Sequence, residues 1–282
     1  MNTWTIASLT FRETLRRKAL LGAILLTLGF LILFGVGSYF AFRDIYGNPL
    51  LSATVRSLAT GEILLAGLFG VANIGALLAI FVAAGTIATE VEEGTLHAVV
   101  PRPLHRWEVV LGKWLGFALM VSVYVAVTGL AASLIIYYLT GYLSHNLALG
   151  LALLALKALL LLSVSMLLST CLPALTTGIV AFILYAVGNV GSMVEQFGYL
   201  MRNQTLIDIG IITSLIIPSD ALWKMAAGLL QPPIGDSILE TLRGVGPFSV
   251  LNPPSVWMGA YSVGYLALAL LGALLVFQRR DL

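Results

Sequence analysis

The chain has 282 residues, 59% hydrophobic and only 10% charged, with a formal charge of +2 and a mean hydropathy of +1.00. Soluble domains are about half apolar and about a quarter charged, so this composition excludes a single water-soluble core. Basic residues are spread along the chain with no patch that reads as a nucleic-acid footprint. The single Cys171 excludes an intramolecular disulfide and any cysteine-cluster metal or iron–sulfur site.

Residues 2–18 read as an amphipathic helix lying in the membrane interface. Trp4, Ala7, Phe11 and Leu15 share one face, and Arg12, Glu13, Arg16 and Arg17 the other. The apolar run that follows is too long for a signal-peptide core and lacks a cleavage pattern. Six runs are expected to cross the bilayer, at about 19–42, 63–87, 115–139, 147–168, 174–193 and 256–277. Each approaches the roughly 20 residues that span about 30 Å of hydrocarbon. Gly22, Gly29, Gly35 and Gly37 suggest close helix approach in the first span. The stretch LLSATVRSLATGE reads as a small interfacial helix ahead of the second span, and Tyr137–Tyr138 as an aromatic belt closing the third. A polar turn, TGYLSHN, holds His145, which has no partner at ligand spacing. Cys171 falls in the short connection before Pro173, where it reads as inert. The leucine/alanine-rich fourth span reads as lipid-exposed. The whole chain, 1–282, is predicted to be one all-α membrane domain.

Two passages depart from this pattern. Residues 88–114 carry four carboxylates and two histidines between two apolar runs. Glu90, Glu93 and His97 fall on one helical side, interrupted by Gly94. Beyond Pro101 and Pro103, Trp107, Val110, Leu111 and Trp114 form a second apolar stripe. Residues 194–255 hold Pro218, Pro232, Pro233, Pro247, Pro253 and Pro254. Within them Leu206–Ile217 is too short for an ordinary span, contains Asp208 and stops at Pro218, which suits a re-entrant or interfacial helix. Ser219–Asp220 would cap a following helix, with Trp223 and Lys224 as a headgroup-level anchor. Asp208, Pro218, Asp220, Trp223 and Lys224 are thus the candidates for an outer cap or gate.

With the N-terminus inside and six spans, nine lysines and arginines fall on the cytoplasmic side and five on the outer. That bias puts both termini and residues 88–114 in the cytoplasm. Lys157 is the one formal charge well inside a span, and its long stem suits snorkelling toward the outer headgroups. Asn73 and Asn189 are suited to hydrogen bonds between helices. Glu93 and His97 lie one turn apart without a third ligand, so no metal site is defended.

The pattern Glu90-x-Glu92-x-Gly94-Thr95-Leu96, then Pro103-Leu104-x-Arg106, then Leu111-Gly112-Lys113 resembles the loop between spans two and three of ABC-2 type transporter permeases. The likeness covers essentially the whole chain, from interfacial helix to basic tail. Ile217–Lys224 is similar to a proline-x-aspartate segment in the permease associated with nitrous-oxide reductase maturation. The resemblance implies a permease without its own ATPase, and the sequence holds no phosphate-binding loop motif. It implies that Glu90, Glu92, Glu93, Gly94, Thr95, Leu96, Pro103, Arg106, Gly112 and Lys113 form a coupling helix region. That region would dock a cytosolic ABC ATPase, present in two copies and itself binding ATP and Mg. A second permease copy, membrane lipid as surroundings and a prokaryotic inner-membrane location are expected with it, and export is the expected direction. An ATP-independent secondary transporter or channel, or a membrane scaffold, is the competing reading.

Overall fold

The computed structural model describes residues 18–49, 51–86, 106–231 and 253–279, with Thr10, Phe248 and Val250 as isolated positions. The helices are α1 (Lys18–Gly47), α2 (Ala53–Ala84), α3 (Arg106–Thr140), α4 (Leu147–Cys171), α5 (Ala174–Met201), α6 (Gln204–Ile216), α7 (Ser219–Leu230) and α8 (Val256–Arg279). Among the described residues there is no strand. All except α6 and α7 are individually long and apolar enough to cross a membrane, giving an all-α protein with six candidate spans.

Local chemistry sets the helix ends. Ser52 caps α2, its hydroxyl accepting from the Val55 amide at 3.3 Å. The stretch read as a separate interfacial helix is therefore the first turns of α2. The apolar stripe after Pro103 is likewise the beginning of α3, unbroken from Arg106 to Thr140. Gly141 ends α3 at φ +73°, a conformation that costs a side chain but not glycine. Arg202 takes the same left-handed region at the end of α5, where Asn203 caps α6 through the Thr205 amide at 3.0 Å.

The helices pack through glycines, but not those expected. Gly22, Gly29 and Gly37 face open space, and Gly35 only meets Ile135 at 3.8 Å from a Cβ position. The close approach is on α2. Phe30 and Phe34 of α1, stacked at 5.9 Å, lie over Gly70 and Gly67, where a Cβ would overlap them. This pairing makes α1 and α2 antiparallel. Leu151 of α4 fills the same kind of space at Gly129 of α3.

The leucine-rich α4 is central rather than lipid-exposed. Leu154, Leu160, Leu161, Leu162 and Met166 are fully buried among α2, α3, α5, α7 and α8. By contrast α1 leaves Leu25, Ile32, Leu33 and Val36 outward. Both helices are apolar all round, because lipid and core ask for the same side chains.

Candidate functional site

The residues expected to couple to a partner divide at the boundary of the described structure. Glu90, Glu92, Glu93, Gly94, Thr95, Leu96 and Pro103 lie outside the described residues, as does the expected interfacial helix apart from Thr10 and Lys18. Arg106 is the first residue of α3. One turn further, Gly112 is buried and Lys113 half-buried. Val110 is fully buried against Met166 of α4 and Ala273 and Phe277 of α8. Trp114 donates from Nε1 to Ser163 Oγ of α4 at 2.9 Å. The first two turns of α3 are therefore tied to both neighbours.

Asn73, Lys157 and Asn189 come from three different helices, and all three meet Tyr185 of α5. Tyr185 donates its hydroxyl to Asn73 Oδ1, and Asn73 Nδ2 donates to the Phe69 carbonyl at 2.6 Å. Asn189 Nδ2 donates to the Tyr185 carbonyl at 2.9 Å, within its own helix and not across helices as expected. Lys157 does not snorkel. Its side chain is fully buried, its Nζ has no hydrogen-bond partner among the described residues, and it lies 5.4 Å from the centre of the Tyr185 ring. The contact is a cation–π interaction of about 2 kcal/mol when desolvated, less than the several kcal/mol that burying a charge costs. Tyr185 itself went unremarked in the sequence. The available signal was its i, i+4 spacing to Asn189 in an otherwise apolar run.

The candidate gate residues form a hairpin. The α6 backbone runs back along α5 through Gly198, Gly191 and Gly210. A Cβ at these positions would overlap Ile207, Thr213 and Glu195 respectively. Ile217 and Ser219 reach Gly188, each within 3.5 Å of a Cβ position there. Pro218 supplies no amide and holds Ile217 extended, so α6 and α7 meet at a bend of 108°. α7 then climbs back, pairing Lys224 with Glu195 at 2.6 Å and laying Leu230 over Gly150 near the start of α4. Pro218–Asp220 is thus the bend of a helical hairpin whose α6 arm lies on α5 and whose α7 arm ends against the start of α4.

Within it the expected roles change. Trp223 and Lys224, expected as an exposed anchor, are buried within the bundle. The Trp223 ring stands edge-on to Phe69 at 5.1 Å. Pro218 occupies the cap position of α7 without a side-chain cap bond. Ser219 Oγ and Asp220 Oδ2 are buried without hydrogen-bond partners among the described residues. Asp208 stays exposed, accepting from Gln204 at 2.9 Å. Glu195, assigned to the start of the outer segment, belongs to α5 and anchors the hairpin. Among the described residues no three His, Cys, Asp or Glu side chains gather to hold a metal.

Six spans, a charged passage leading directly into a long rigid helix, and a hairpin packed into the bundle define a multi-pass membrane transport component. The chain belongs to the ABC-2 family of transporter proteins, whose family pattern, described as "ABC-2 family transporter protein", it matches over residues 4–282. A comparison with curated proteins found no match. Membership makes this chain the membrane subunit of an ABC transporter, whose ATPase is a partner subunit and not the chain itself.

Proposed function

We propose that the chain is the permease of an ATP-driven exporter. Two copies would dock two cytosolic ABC ATPase subunits, which bind ATP and Mg, through residues 88–114. Both termini and that passage then face the cytoplasm of a prokaryotic cell, as the lysine and arginine bias favours. Glu90, Glu92 and Glu93 supply the charge that sets register with the partner. The observation that carries this reading is the continuity of α3. It runs unbroken from Arg106 and is pinned at Val110 and Trp114 to α4 and α8, so displacement at its charged end moves the core. The hairpin of α6 and α7 then serves as the gate at the opposite face, packed on α4 and α5.

The test is co-purification with a cytosolic ABC ATPase and nucleotide-driven export from reconstituted vesicles. A complex of two permeases and two ATPases is expected from its mass, and one permease per ATPase pair would contradict the dimer. Gradient-driven flux by the chain alone would instead establish a secondary transporter. No flux in any combination would leave a scaffold.

A further inference from the structure

Where α6 and α7 meet the start of α8 there is a cavity of about 320 Å³. Glu195 and Lys224 line it, paired at 2.6 Å with side chains 13% and 4% exposed. An ammonium has three donors and a carboxylate two acceptor oxygens. Among the described residues Lys224 and Glu195 have only each other as polar partners. Two ammonium hydrogens and the second carboxylate oxygen are therefore free to meet an occupant.

The rest of the wall says what kind. Ile211 and Leu215 of α6 also line the cavity, and they are 43% and 47% exposed. They continue into Ile212 and Ile216, an exposed apolar face. Tyr261 of α8 donates to the Leu215 carbonyl at 2.7 Å, joining α8 to α6 beside the cavity. A cavity with an ion pair in a mainly apolar wall thus opens onto an exposed apolar helix face, which is the layout for a head and a tail. An anionic head would gain Lys224 but set its charge against Glu195, and a cationic head would do the reverse. A net-neutral pair suits a net-neutral head.

We infer that this cavity holds a zwitterionic amphiphile, its ammonium toward Glu195, its phosphate or carboxylate toward Lys224, and its tail along α6. The inference goes beyond the proposed export reaction and stands on the membrane-embedded fold alone, so binding and ATP coupling can fail separately.

The test is native mass spectrometry of the purified full chain, equilibrated with phosphatidylethanolamine and phosphatidylglycerol of matched chains. Retention of the zwitterionic lipid is expected to exceed that of the anionic one by about tenfold, a difference of about 1.4 kcal/mol. Glu195→Gln leaves Lys224 unopposed and is expected to reverse the preference. Glu195→Gln with Lys224→Met removes both charges and is expected to abolish it. Ser255→Trp, filling the cavity from its exposed rim without touching the pair, is expected to lower retention of both lipids even if the charge variants fold poorly. Equal retention of the two lipids by the wild-type chain would overturn the inference. So would a preference for phosphatidylglycerol, or a zwitterionic preference that survives the double variant. A lysophosphatidylethanolamine that also stimulates the ATPase of the assembled complex identifies a transported amphiphile; retention without stimulation identifies a resident lipid.

Discussion

Among the described residues, Lys157 is an amine without a hydrogen-bond partner at the centre of the bundle, with only a ring face to offset its desolvation. Replacing it with a methionine of similar length keeps the packing and removes the buried cation. Lys157→Met is expected to stabilise the detergent-solubilised protein by about 1–3 kcal/mol, seen as a higher thermal midpoint. A lower midpoint would show that the amine contributes net stability where it sits. If the residue serves transport, the same variant loses flux while gaining stability, the trade-off expected of a strained functional group. Tyr185→Phe tests the other half of the cluster. It deletes the hydroxyl that satisfies Asn73 Oδ1 and is expected to cost about 0.6–1.7 kcal/mol, the range measured for hydrogen bonds between membrane helices. An unchanged midpoint would show that this bond contributes nothing. The sequence marked Asn73, Lys157 and Asn189 because polar groups are rare in an apolar span. It did not show that they converge, because convergence depends on helix rotation. Apolar faces that suit lipid and core equally leave that rotation unwritten.

At the scale of elements, the hairpin depends on glycines whose replacement has nowhere to go. A Cβ at Gly210 would overlap Glu195 Cβ and come within 2.9 Å of its Cα, so a backbone must move. Gly210→Val is expected to cost about 1–3 kcal/mol by overpacking, and to loosen α6 from α5 while the six spans stay inserted. Single cysteines in a Cys171→Ser background provide the measurement. Ile217 is buried and Thr205 exposed, so Ile217→Cys should resist an impermeant thiol reagent where Thr205→Cys reacts fast. Adding Gly210→Val should make position 217 reactive; equal protection with and without it would show that the close approach is not what holds the hairpin. Proline at 218 and an acidic residue in so short an apolar run made this break legible in the sequence. The number of spans was legible too, but their ends were not. A helix continues into the interface wherever its polar residues are solvated, as α2 does through Arg56 and Glu62 and α3 through Glu108 and Lys113. The central place of α4 was hidden for the reason already given for rotation: leucine satisfies lipid and core alike.

For the whole molecule, the proposed docking and transmission are separable by experiment, because the residues proposed for each lie on different parts of the chain. Glu90→Lys with Glu92→Lys changes only the charged passage, and is expected to weaken association with the ATPase about tenfold or more by setting like charge where complementary charge was. Trp114→Phe leaves that passage untouched. It keeps the aromatic bulk and deletes the Nε1 bond to Ser163, whose hydroxyl still donates to the Leu159 carbonyl at 2.9 Å. The loss is then one hydrogen bond between α3 and α4, about 1 kcal/mol. Affinity for the ATPase is expected to stay unchanged. Transport per ATP hydrolysed is expected to fall about two- to fivefold, because α3 can move at its charged end without carrying α4 and the hairpin packed on it. Measured together, the two variants distinguish a permease driven through α3 from one driven by another route. Loss of affinity in the first and loss of coupling in the second fits the first case. An uncoupled charge-reversed protein that still binds, or a Trp114 variant with full coupling, would move the transmission path off α3.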